Sequence, residues 1–157
     1  MKTARMLAAA LLLFVTGLAT AADHVRILRL AENLVKHADN PVLDIGRPGE
    51  WDDKGCGCFS VAEVNGRWHL YYMGAGQTNS FRIGLATSDD GLHWRRSPAN
   101  PVLPPGPKGS WDDRAASMPY VLNDSGRLSL YYTGSGKGGG FGMATSSDGE
   151  TWQRHGK

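Results

Sequence analysis

Cysteine is nearly absent: Cys56 and Cys58 are the only two in 157 residues. That excludes a disulfide-stapled scaffold, and no further Cys, His or paired carboxylate at ligand spacing joins them to make a zinc site. On an extended strand their α-carbons sit near the upper limit for a bridge, so two reduced, packed cysteines are expected. A surplus of one charge is also missing. Lys and Arg number 17 against 15 Asp and Glu, and Lys2 and Arg5 fall in a leader, so the remainder is formally neutral. Its basic residues are scattered rather than striped, which argues against nucleic acid as a partner. Long apolar runs are confined to Leu7–Leu18. With the basic residues before it and Ala19-Thr20-Ala21 after it, this run reads as a secretory signal over residues 1–21, cleaved before Ala22. A secreted or periplasmic protein follows, with no membrane association after cleavage. Gly-x-Ser-x-Gly, His-Glu-x-x-His and Cys-x-x-Cys are all absent. Gly134-Ser135-Gly136-Lys137-Gly138 lacks the spacing and the following helix of a phosphate loop.

What is present is repetition. Asn40-Pro41-Val42-Leu43 returns as Asn100-Pro101-Val102-Leu103, and Trp51-Asp52-Asp53 as Trp111-Asp112-Asp113. Gly66-Arg67, Tyr71-Tyr72 and Gly74-x-Gly76 recur at the same offset of 60. From Ala86-Thr87-Ser88 onward the offset is 58, through Asp90-Gly91 and Trp94 to Asp148-Gly149 and Trp152. A period of this size is one supersecondary unit that buries its faces only by stacking on copies of itself. The units run over 40–99 and 100–157, and residues 22–39 read as the edge of a preceding, partial unit.

Each unit predicts four short strands. Abundant glycine at turns between aromatic-rich runs gives an all-β composition. In the first unit the strands are expected over 58–64, 67–75, 82–88 and 93–97; in the second over 118–122, 127–133, 140–146 and 151–155. Asn65-Gly66 between alternating runs predicts a type I′ hairpin. Repeated four-stranded antiparallel sheets of this length predict β-propeller blades; solenoid repeats are usually shorter and poorer in hairpins. Two blades leave two broad faces uncovered, so either C-terminal blades are missing or copies self-associate.

Two motifs invite chemical readings. Ser88-Asp89-Asp90-Gly91-Leu92-His93-Trp94 and its partner ending at Trp152 predict a structural turn. In it the Asp accepts backbone N–H groups, Gly takes positive φ, and Trp packs between sheets. The Trp-Asp-Asp pairs stand just before the first strand of each unit, the innermost strand of a propeller. Asp52, Asp53, Asp112 and Asp113 are therefore candidate catalytic acids and bases. Glycosidic cleavage needs one carboxyl that protonates the leaving oxygen and one ionised carboxylate, about 5 Å apart for retention or about 6.5–9.5 Å for inversion. The same aspartates equally read as turn caps that recur because the turn recurs. Arg114, in the place of Lys54, is a candidate to hold a sugar hydroxyl. Trp51 and Trp111 are candidates to stack on a sugar ring or to pack in the core.

The string from Asn40 through Trp51-Asp52-Asp53 and Tyr71-Tyr72 to Trp94 resembles the repeat of five-bladed β-propeller glycoside hydrolases, families 43, 32, 68 and 130 and secreted relatives. The resemblance covers residues 40–157 and implies an incomplete five-bladed propeller acting on glycosidic bonds of an oligo- or polysaccharide. It implies a carbohydrate partner, no redox cofactor, and in some families a structural calcium. Many such relatives carry Asp-Pro at the start of the inner strand; here those positions read Cys58-Phe59 and Met118-Pro119. The alternatives are a non-catalytic or degenerate carbohydrate-binding module, and a sialidase-like propeller. The latter would need an arginine cluster of which Phe81-Arg82-Ile83 is the sole hint.

Overall fold

The structure, a computed structural model, describes residues 35–78 and 80–155. The leader over 1–21 and most of the edge segment over 22–39 lie outside the described residues. Of that segment, 35–40 form a turn closed by Asn40 N donating to His37 O at 3.4 Å. From residue 41 onward the chain forms two four-stranded antiparallel sheets with sequential strand order, and no helix occurs among the described residues. The first sheet contains β1 (Gly55–Val64), β2 (Arg67–Ala75), β3 (Arg82–Ser88) and β4 (Arg95–Arg96). The second contains β5 (Ala115–Asp124), β6 (Arg127–Ser135), β7 (Gly140–Ser146) and β8 (Gln153–Arg154).

The hairpin turns form for the expected reason. Asn65 and Gly66 both take positive φ, at 51° and 78°, and Ser125-Gly126 repeats this in the second sheet. Several strand boundaries differ from expectation, and β5 and β6 also end two residues later than expected. β1 and β5 begin three residues earlier, because Lys54 N and Arg114 N already bond to the ends of β2 and β6. The fourth strands shrink to two residues because the Asp turns occupy the preceding positions. In those turns Asp90 Oδ1 accepts from Leu92 N and His93 N, and Asp148 Oδ1 from Glu150 N and Thr151 N, all at 2.8 Å. The indoles of Trp94 and Trp152 donate back to Gly91 O and Gly149 O.

The sheets form a wedge. β1 lies against β5, and β2 and β3 also reach β5, while the outermost strands β4 and β8 have no comparable contact. Between the sheets is one apolar core, with Tyr71, Ile83 and Leu85 from the first packed against Val121, Leu128 and Leu130 from the second. Trp152 meets Tyr71 edge-on at 5.5 Å, and Tyr71 Oη donates to Gly149 O at 3.2 Å. The connector is stitched in by a reciprocal backbone pair at 3.0 Å between Ile83 and Leu103. Fully burying such side chains contributes about 1.5–3 kcal/mol each to holding the two sheets together.

Both first strands are bulged at the same place. Register shifts between Gly57 and Phe59, and between Ser117 and Tyr120. The residues at the two bulges, Cys58 and Met118, take φ values of 39° and 51°. Positive φ in a non-glycine residue is uncommon, and bulges re-aim side chains at functional edges. No disulfide joins the cysteines: Cys56 packs against Leu70, Tyr72 and Ala86, and Cys58 is exposed at the bulge, so only one of the two packs as expected.

Candidate functional site

The repeated Trp-Asp-Asp segments each seat on their own sheet. Trp51 stacks on Tyr72 with centroids 5.7 Å apart, and Trp111 lies tilted against Tyr132 at 5.4 Å. The indoles fit only because glycines lie beneath them. A Cβ on Gly74 would sit 2.5 Å from Trp51 Cζ3, and one on Gly134 would sit 2.1 Å from Trp111 Cζ3. The repeated Trp-Asp-Asp and Gly-x-Gly are therefore two halves of one contact. Both indoles are engaged in packing, which is the core alternative for Trp51 and Trp111.

The first aspartate of each pair ties three elements together. Asp52 Oδ2 accepts from Tyr72 Oη at 2.9 Å and from Arg96 Nε at 3.0 Å. Asp112 Oδ2 accepts from Tyr132 Oη at 2.9 Å and from Arg154 Nε at 3.1 Å. Each tie joins the loop before a first strand to the second and the outermost strand of the same sheet. The guanidinium Nη2 groups of Arg96 and Arg154 continue to the carbonyls of Asp44 and Pro104. Asp52 and Asp112 are enclosed, at 0% and 1% exposure. Burial, reinforced by the carboxylate, raises the phenol of Tyr132 to about 12 and moves Tyr72 in the same direction.

The second aspartates close turns. Asp53 Oδ2 accepts from Gly49 N at 2.8 Å, and Asp113 Oδ2 from Gly109 N at 2.8 Å. That backbone donor, with Lys54 Nζ 3.7 Å away and Gln77 beyond, holds the Asp53 carboxyl below the usual carboxylate range. Asp53 Oδ1 and Asp113 Oδ1 are buried without a hydrogen-bond partner among the described residues. No hydrogen bond or ion pair among the described residues links the Asp52–Asp53 pair to the Asp112–Asp113 pair. The Arg114 side chain is exposed; its carbonyl accepts from Ser80 Oγ at 2.7 Å. Sequence reasoning missed Arg96 and Arg154. Their recurrence at offset 58 was the available signal. It also missed the bulges at Cys58 and Met118, which no side-chain pattern announces.

This architecture recurs in solved structures. A family 117 glycoside hydrolase from Zobellia galactanivorans superposes with a TM-score of 0.65 at 20% identity, over 72% of this chain and 35% of that one. A glycosyl hydrolase from Bacteroides ovatus gives 0.59 at 24% identity, over 68% and 32%. A family 32 β-fructofuranosidase from Bombyx mori gives 0.54 at 22%, over 67% and 23%. The two sheets are β-propeller blades. They share the fold of glycoside hydrolases of the five-bladed type. In sequence, the chain is similar to an uncharacterised protein of Mycobacterium tuberculosis strain CDC 1551, with 34% identity over 85 residues. That match takes in 54% of this chain and 27% of the relative. A second, from strain H37Rv, is 35% identical over 75 residues, 48% of this chain and 24% of the relative. The matched region is thus about a quarter of either curated relative's length. No family model matches the chain.

Proposed function

We propose that these blades form an exported carbohydrate-binding unit of glycoside hydrolase type, in which the Trp-Asp-Asp aspartates serve the fold rather than acid–base chemistry. The substrate class comes from the fold. The non-catalytic assignment comes from one observation: Asp52 and Asp112 are sealed from solvent and bonded to an arginine and a tyrosine of their own blade. A general acid must reach the glycosidic oxygen and hold a proton at working pH. A carboxylate enclosed in the blade and already held by its own arginine and tyrosine does not reach that oxygen. The face proposed to meet sugar is the wedge's narrow side, where the bulged strands β1 and β5 turn Cys58 and Met118 outward.

A second reading, glycosidic hydrolysis by Asp53 and Asp113 with Arg114 assisting, is favoured by their unpartnered Oδ1 atoms. Both oxygens are buried, so a sugar would reach them only after the turn opened. Calorimetric titration with a panel of oligosaccharides, alongside turnover of aryl-glycosides, separates the two. Saturable binding with no turnover is expected. Turnover that disappears in a folded Asp113→Asn variant would establish the second reading instead.

A further inference from the structure

Blade 1 (β1–β4) and blade 2 (β5–β8) differ at one place on the outer rim, where the Asp turn meets the hairpin between the first two strands. In blade 1, Arg67 Nε donates to Asp89 Oδ1 at 2.8 Å, an ion pair within the blade. In blade 2 the arginine is kept as Arg127, but Ser147 stands in the place of Asp89. A serine hydroxyl is shorter than the carboxylate it replaces and carries no charge. Among the described residues the Arg127 guanidinium therefore has no hydrogen-bond or ion-pair partner, and neither do the Ser147 hydroxyl and the Gln153 amide. These three side chains line an open cleft of about 690 Å³ whose walls include Asp148, Thr151 and Trp152. The end of the chain does not create this cleft. Each lining residue is buried, half-buried or exposed in step with its counterpart in blade 1, which has blade 2 seated against it. With blade 2 in place, the Arg67 and Asp89 side chains are still 49% and 82% exposed. No lining residue belongs to β1 or β5, so the cleft is separate from the narrow side proposed to meet sugar.

We propose that this rim cleft binds the carboxylate of a sugar acid, with Arg127 taking it as Arg67 takes the carboxylate of Asp89. Blade 1 is the template for the ligand chemistry. Its arginine accepts a carboxylate even though Asp90, whose carboxyl the backbone and ring of His93 hold well below the usual range, stands next in the chain. In blade 2 the neighbouring acid is Asp148, held at about 2 chiefly by Thr151 N. Its Oδ1 is already committed to Ser146 Oγ, Glu150 N and Thr151 N. Arginine matches a planar carboxylate with parallel N–H donors, which a neutral hydroxyl does not replace. Trp152 adds an apolar wall, and Ser147 and Gln153 add uncommitted polar heads, the mixture that holds a sugar ring. That the anion is a carboxylate is read from blade 1; that a sugar carries it rests on the carbohydrate assignment.

Proton–nitrogen correlation NMR of the isotope-labelled chain tests this, with Arg127 Nε–H and Trp152 Nε1–H as reporters. D-Glucuronate should shift both saturably, with a Kd on the order of 1 mM. D-Glucose, which lacks the carboxylate, and acetate, which lacks the ring, should each bind about tenfold more weakly or worse. Arg127→Gln should weaken glucuronate binding about tenfold, read at Trp152. Ser147→Asp should restore the blade 1 ion pair inside the chain and exclude glucuronate from the cleft. Both positions are exposed, so the fold should survive either change. Glucuronate that moves neither reporter would overturn the proposal, as would a variant that binds it like the wild type. Glucose or acetate matching glucuronate would overturn the sugar-acid assignment. Neutral oligosaccharides bound at the narrow side should leave both reporters unmoved, so failure here is distinguishable from failure of the carbohydrate assignment.

Discussion

Replacing Asp112 by Asn tests the blade tie most directly. The amide keeps the volume and one acceptor oxygen but removes the charge that Arg154 Nε meets at 3.1 Å. Hydrogen bonds to charged groups contribute about 1.5–3 kcal/mol and neutral ones about 0.5–1.5, so the exchange costs about 1–2 kcal/mol. Removing one member of a fully buried pair costs about 3–5 kcal/mol. This pair falls short of that because the Arg154 side chain is 27% exposed and can regain water. Crowding of the new amide against Tyr132 Oη adds a little, giving about 2 kcal/mol in total. For a chain of this size that corresponds to a drop in Tm of about 4–8 °C. Urea unfolding followed by tryptophan fluorescence measures it, since Trp111 packs against Tyr132 within the tie. Arg154→Met supplies the second leg of a double-mutant cycle, with an expected coupling of about 1–2 kcal/mol. A loss below about 0.5 kcal/mol, or zero coupling, would refute the reasoning. The same variant bears on function: loss of a tie lowers stability and leaves sugar affinity per folded molecule unchanged, whereas loss of a catalytic carboxylate would abolish turnover with little change in stability.

Two further predictions rest on single groups. Asp148 lies below the ordinary aspartate value of 3.8, at about 2, chiefly because Thr151 N donates to it. A depressed acid stabilises the fold above its unfolded value and loses that contribution as pH falls through the folded one, so acid unfolding between about pH 4 and pH 2 should be shallower in Asp148→Asn. The two thiols should react with Ellman's reagent at clearly different rates. Cys58 is exposed and should react first, while burial raises the Cys56 thiol and slows it; equal rates would contradict the placement of Cys56 against Leu70 and Tyr72.

The fold was legible because every cue recurred. Asn65-Gly66 named a hairpin, Asp90-Gly91 a tight turn, and the period of 60 a stacked unit, and each is a local rule with a local cause. The bulges were not legible, since positive φ at Cys58 and Met118 arises from sheet register rather than from those side chains. Nor were the partners of Asp52 and Asp112. Each bonds across its blade to an arginine more than 40 residues away, 44 for Arg96 and 42 for Arg154, and sequence spacing carries no distance at that range. The fate of the tryptophans follows from Gly74 and Gly134, whose missing side chains make room for an indole.

Repetition itself bears on where chemistry can reside. Acid–base cleavage of a glycoside requires two carboxyls whose environments push their proton affinities apart. The Oδ2 atoms of Asp52 and Asp112 have equivalent partners at the same distances to within 0.1 Å, and those of Asp53 and Asp113 the same turn donor at 2.8 Å. These shared contacts do not set the aspartates of one blade apart from those of the other. Whatever distinguishes one blade from the next must come from positions where the units disagree. The bulge offers Cys58 against Met118 and Phe59 against Pro119. The loop ahead of it offers Glu50, whose Oε2 accepts from Arg47 N, against Ser110, whose Oγ donates to Asp112 Oδ1 at 2.7 Å. That last exchange leaves Asp52 Oδ1 without the partner that Asp112 Oδ1 has. The shared residues hold the wedge, and under the proposed function recognition of a particular sugar would fall to the unshared ones along its narrow side.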